Sequence, residues 1–125
     1  AILDWELSTS GHPLADFSYH LIAWQMPDIG IGSSGLAGKD LDALGIPDEA
    51  TYVARYCEHT GRDGIENRDF YSAYNFFRIA AILQGIAGRV RDGTAASAHA
   101  EAAVKAVTPL ADMAWAYAQR AGATG

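Results

Sequence analysis

Residues 1–16 hold Asp4, Glu6, His12 and Asp16, three carboxylates and one imidazole. In an extended segment residues 4 and 6 project to the same side, so Asp4 and Glu6 would share a face at the end of a strand, where sheet-containing enzymes often place their chemistry. Asp4 stands between Leu3 and Trp5, an odd place for a merely solubilising charge. Hard cations such as Mg²⁺ take oxygen ligands and commonly sit between one or two carboxylates and substrate phosphates. Asp4 is therefore a candidate metal ligand, and His12, before Pro13 near a helix start, is either a ligand or base or a plain surface-loop histidine. The plainer alternative is that Asp4 leaves the strand and Asp16 caps or pairs locally.

The other titratable residues are less concentrated. His20 falls near an apolar helical face and reads as a packing residue, and His59 and His99 are far from the acidic cluster. Zinc would need three or four ligands, and no such spacing occurs. Arg78 stands in an otherwise apolar run. A buried guanidinium must be paired, so Arg78 is either a structural partner for a carboxylate such as Asp16 or a contact to an anionic ligand. Structure is the favoured reading, with Asp16 and Arg78 together as a brace.

Elements must position these groups. Ala1–Trp5 favours a short strand, and LSTSGHP then punctuates the chain. Pro13 suits a first helical turn, and Leu14, Phe17, Leu21 and Trp24 recur at helical spacing over 13–24. A glycine-rich loop follows over 25–45, long for a compact domain. Its GIGSSG lacks the lysine of a Walker loop and the context of a dinucleotide site, so a surface loop is expected. A second helix is expected over 48–59, with Cys57 on its apolar face and Gly61 ending it. The third, over 67–91, carries Phe70, Tyr74, Phe77, Ala81 and Gly85 as one stripe, widened by Tyr71, Ala73, Phe76, Ala80, Leu83 and Ala87. That breadth predicts a central helix buried on several sides. The last, over 95–121, is alanine-rich, and Pro109 should kink or split it.

Composition bounds the rest. The chain has 125 residues, enough for one domain with a real core. Nine basic against 15 acidic residues give a net charge of -6, which repels a phosphate backbone and argues against nucleic acid. The single cysteine allows no intrachain disulfide, in keeping with a cytoplasmic setting. No apolar run approaches the roughly 20 residues of a membrane span. The chain opens on Ala1 within a strand-like segment, which suggests a helical subdomain, 1–125, taken from a longer protein.

The stretch ILDWELSTSGHPLADFSYHLIAW resembles the C-terminal lobe of the aminoglycoside-phosphotransferase-like kinases, nearest to the branch attached to some acyl-CoA dehydrogenases. Leu3-Asp4-Trp5-Glu6 matches the strand ending of that family. Gly11-His12-Pro13-Leu14-Ala15-Asp16-Phe17 matches its Gly-Asp-Pro-x-x-Asp-Leu segment, with His12 in place of an aspartate. YCEHTGRD around Tyr56–Asp63 and FFRIAAILQGIAGRV over 76–90 also look like that branch, so the resemblance covers most of the chain.

The resemblance implies a mainly α fold, the helical C-terminal part of a protein-kinase-like phosphotransferase lobe with one short N-terminal strand. It implies a parent enzyme that transfers phosphate from ATP or GTP to a small-molecule hydroxyl, with Mg²⁺ as cofactor and Asp4 as a metal ligand. Asp16 would be a structural aspartate bracing the catalytic loop, and Glu6, with His12, would stand behind the metal ligand or on the substrate side. The nucleotide-binding lobe and catalytic loop would precede this chain, leaving no catalytic residue within it. The 125 residues alone would be inactive, and an unpaired strand would favour self-association. Two other classes stay open: a non-catalytic helical interaction module, and a divalent-metal hydrolase built on the N-terminal carboxylates.

Overall fold

Pro13 opens the first helix, α1 (Pro13–Gln25), in a computed structural model that describes residues 8–29, 35–94 and 98–125. His12 is the N-cap: its Nδ1 accepts the Leu14 N–H at 3.4 Å, satisfying one of the donors a helix start leaves unpaired. The expected face forms. Leu14, Phe17 and Leu21 are buried, with Trp24 packed against them.

That face is covered by α2 (Glu49–Thr60). Phe17 stacks on Tyr56 with ring centroids 3.5 Å apart, and Trp24 stacks on Tyr52 at 4.8 Å. Offset ring pairs add to the area they bury. Cys57 is buried, as its place on the apolar face requires. Gly61, at φ +66°, ends α2 in the left-handed conformation that glycine adopts without penalty.

Asp48 starts α2 by accepting the Thr51 N–H at 2.7 Å. That backbone bond holds its carboxyl below the ordinary 3.8. Because the folded value is depressed, the stabilisation is present above the unfolded value and is lost as pH falls through the folded one. Asp48→Ala should therefore lower the melting temperature at pH 7 and flatten its decline below about pH 4. Asp48→Asn, also a good cap, should keep most of the stability at pH 7 while losing the same acid dependence. Thermal melts from pH 2 to 7 check both.

The third helix, α3 (Arg68–Arg91), and the fourth, α4 (Ala98–Arg120), form an antiparallel pair. Asp69 near the start of α3 meets Arg120 at the end of α4, and Phe76 stacks on Tyr117 at 5.6 Å. Between them lies the main core: Phe76, Ala80 and Leu83 against Ala103, Ala106, Leu110 and Ala114, closed from α1 by Ile22 and Met26. Alanines on α4 let the two backbones come close, so Phe76 and Leu110 are fully enclosed. Asn75 ties the pair to α1, its Nδ2–H donating to the Ala15 carbonyl at 3.3 Å.

The structure bears on three expectations. No strand occurs among the described residues, whose elements are these helices; the segment expected as a strand, 1–5, lies outside them. Helix α4 is not split, since it continues through Pro109, which leaves only the Lys105 carbonyl without its helical donor. Helix α3 is not buried on several sides. Phe76, Ala80 and Leu83 face the core, while Phe70, Tyr74 and Phe77 are 57%, 49% and 65% exposed. One neighbouring helix pair covers one face of α3, and the second aromatic stripe is left facing solvent.

The glycine-rich loop is anchored rather than free-standing. Leu36 N–H donates to the Ala23 carbonyl at 2.7 Å and Ala37 N–H to that of Met26 at 3.2 Å. Trp24 Nε1–H reaches the Pro47 carbonyl at 2.9 Å. The chain after residue 34 is thus stitched to the end of α1, and residues 30–34 of the GIGSSG stretch lie outside the described residues.

Candidate functional site

The N-termini of α2 and α3 meet the C-terminal ends of α1 and α4 around an open cleft of about 1,010 Å³. Its polar groups come from all four helices: Gln25, Glu49, Arg68, Asp69, Tyr117 and Arg120. Glu49 is ion-paired with Arg68 and also accepts the Gln25 Nε2–H at 2.7 Å. Both acidic groups, Glu49 and Asp69, lie in the first turn of a helix, where the positive end of the backbone dipole favours them. Arg120 pairs with Asp69 at 3.4 Å, in the last turn of α4 where a cation is favoured, and its guanidinium lies 3.7 Å from the centroid of the Tyr117 ring. Two carboxylates meet two guanidiniums, so the cleft is close to neutral.

The acidity of Tyr117 is displaced. Burial pushes its phenol above the ordinary 10, against the opposing pull of Arg120, so the hydroxyl stays protonated near neutrality. Chemically the arrangement is a set of mutually satisfied charges around a protonated phenol. It holds four helix ends together and leaves no free base. Sequence reasoning did not single out this group. The signals were present, since Glu49 sits after an N-cap and Arg120 in a last turn, but their pairings, Glu49–Arg68 and Asp69–Arg120, span 19 and 51 residues of chain separation and follow only from the fold.

The candidates read from the sequence do not converge here. Asp4 and Glu6 lie outside the described residues. His12 caps α1, and its Nδ1 also stands 3.1 Å from the Tyr71 hydroxyl across a second, smaller cleft. Asp16 is exposed in the first turn of α1. Arg78 is exposed as well, against the premise of a buried cation, and lies over the Tyr19 ring at 5.1 Å, not against Asp16. Among the described residues, no three His, Cys, Asp or Glu side chains gather into a metal site, and no helix is long and apolar enough to cross a membrane.

Fold and site together describe a helical unit whose charged cleft is structural in chemistry. Compared with known proteins, the chain is 42% identical over 122 residues to acyl-CoA dehydrogenase family member 10 of Mus musculus, a match that takes in 98% of this chain and 11% of that protein. It is 34% identical over 117 residues to acyl-CoA dehydrogenase family member 11 of Rattus norvegicus and 33% identical over 114 residues to the Gallus gallus protein of that name, each time over 90% of this chain and 14% and 15% of theirs. The homologues of this chain are acyl-CoA dehydrogenase family members, and it spans about a tenth to a seventh of their length. No family model matches the chain, and no solved structure matches it.

These relatives correct the phosphotransferase reading. The matched proteins carry the name of acyl-CoA dehydrogenases and none that of a kinase. The kinase-like lobe as fold class falls with it. So do ATP or GTP with Mg²⁺ as cofactors, the phosphate-accepting substrate and the absent nucleotide lobe as partner.

Proposed function

We propose that this chain is a helical part of a longer polypeptide that oxidises an acyl-CoA thioester. The observation that carries the reading is the match to acyl-CoA dehydrogenase family member 10 along almost the whole chain. Dehydrogenation of an acyl thioester removes a hydride and a proton from neighbouring carbons, and flavin supplies the hydride acceptor in chemistry of this kind.

The charged cleft does not fit a flavin dinucleotide. Its pyrophosphate needs free backbone donors at a helix start or unpaired cations. In the cleft both guanidiniums are already taken by Glu49 and Asp69. No step of the oxidation is therefore placed on these residues. Their contribution is architectural: the Glu49–Arg68 and Asp69–Arg120 pairs, with the Gln25–Glu49 hydrogen bond, fix the ends of four helices relative to one another.

The test is an assay of the intact polypeptide with saturated acyl-CoA thioesters of short to long chain and an artificial electron acceptor. Acyl-CoA-dependent reduction together with a bound flavin is expected, and the 125-residue chain alone should show neither. An intact polypeptide that binds no flavin and oxidises no acyl-CoA of any length would overturn the reading.

A further inference from the structure

The uncovered aromatic stripe of α3 faces the alanine-rich side of α4, and the two enclose an open groove of about 480 Å³ along the seam of the pair, with the core residue Ala114 at its floor. Phe70, Tyr74 and Phe77 form one rim at spacings of four and three residues, Trp115 stands on the other, and Ala114 and Ala118 lie on the α4 side. The four rim side chains are 47–65% exposed. Large apolar residues scattered singly need no explanation, but four lining one groove mark a surface that binds something.

We infer that this groove is the seat of another helix of the same polypeptide, one that presents an apolar stripe. The inference rests on the chain being part of a longer polypeptide, because the relatives leave roughly nine-tenths of member 10 outside the matched part to supply that segment. The shape argues for a helix. Two antiparallel helices offer an elongated channel, and side chains recurring every three to four residues along a third helix drop into it as ridges into a groove. The rim from Phe70 to Phe77 is two helical turns, about 10 Å at 1.5 Å per residue, which suits two or three such side chains. Small alanines on the α4 side let the incoming backbone approach closely. The groove adjoins the charged cleft at Phe70 and Ala121, so a helix seated there would also shield the Asp69–Arg120 pair.

Hydroxyl-radical footprinting of the intact polypeptide reads these residues without altering them. Phe70, Tyr74, Phe77 and Trp115 should each be oxidised roughly tenfold more slowly in the folded protein than in concentrated urea, since the centre of a packed contact excludes water. The protection should be unchanged over a hundredfold dilution and in the absence of any acyl-CoA. Slow oxidation that disappears on dilution would assign the groove to a second copy. Protection that arises only when a long-chain acyl-CoA is added would assign it to ligand, and rapid oxidation throughout would leave it uncovered. Each of these three outcomes overturns the inference. The readout is independent of the oxidation assay: an intact polypeptide without acyl-CoA activity but with a protected groove would sink the proposed function and leave this inference standing.

Discussion

Phe76→Ala should cost this chain about 3–5 kcal/mol of folding stability, the range for deleting a buried phenylalanine ring. Phe76 has no solvent exposure, lies between α3 and α4, and stacks on Tyr117. Half of the other buried residues in its cluster are alanines, Ala80, Ala103, Ala106 and Ala114, which cannot swing into the space a lost ring leaves, so a cavity term should persist. Its chain neighbour supplies the control. Phe77 has the same chemistry and helical position one residue on, but it is 65% exposed, and Phe77→Ala should change the stability of the 125-residue chain by no more than about 0.5 kcal/mol. Urea unfolding of the two variants beside the parent measures the difference. Equal losses, or a Phe76→Ala loss under 1 kcal/mol, would show that the core does not sit between α3 and α4. In the intact polypeptide the contrast should narrow, because a helix seated in the groove makes Phe77 a contact residue too.

The adjacent pair also shows where sequence reasoning stops. Helical periodicity gives the starts and ends of α1, α2 and α3 to within a residue, because capping and turn chemistry are local: Pro13 and His12, Asp48, Gly61. It cannot rank two apolar stripes on one helix when each has aromatic residues at spacings of three and four. Which stripe becomes core depends on the partner, and the partner is α4, whose buried face of Ala103, Ala106, Leu110 and Ala114 takes in Phe76, Ala80 and Leu83 while Phe70 stays exposed. Arg78 was misread for the same reason. An arginine among apolar residues looks buried only if both stripes are buried; with one open, it lies in solvent over Tyr19.

The functional reading went astray at a different level. The kinase resemblance took its most specific motifs from Leu3–Glu6 and Gly11–Phe17, with 56–63 and 76–90 beside them. Of these, the first lies outside the described residues. The second resolves into local helix-start chemistry, with Pro13 at the first position, His12 as cap and Asp16 in the first turn, features any helix N-terminus can carry. The charged cleft had no motif at all. Its polar residues come from four helices, and each was individually ordinary: acids at helix starts, an arginine at a helix end. Only their convergence makes a cleft, and convergence is a property of the fold.

The glycine-rich loop yields the last and sharpest prediction, at a residue first considered for phosphate binding. Gly35 is buried where the returning chain crosses the end of α1. A Cβ placed there would overlap the Met26 carbonyl group and lie 2.8 Å from the Pro27 oxygen. Both obstacles are backbone, so no side chain can rotate away. The loop must lift, and lifting it breaks the Leu36-to-Ala23 and Ala37-to-Met26 hydrogen bonds that anchor it. Ile22 and Met26, which close the main core, lie on the α1 segment beneath. Gly35→Ala should therefore cost about 3 kcal/mol, the upper range for a single forced methyl, and should be visible as a loss of protection at the Leu36 and Ala37 amides in hydrogen exchange. Two other glycines separate this cause from a general dislike of substitution. Gly38 has free space around it and a φ of +78°, so Gly38→Ala carries only the left-handed penalty, about 1 kcal/mol. Gly11 has free space and no such φ, and Gly11→Ala should be neutral or slightly stabilising through the unfolded chain. The order Gly35 far above Gly38, with Gly11 near zero, is the expected result of urea unfolding. Gly35→Ala as stable as the parent would mean that the returning chain does not cross α1 at Met26, and the anchoring of the loop would have to be abandoned.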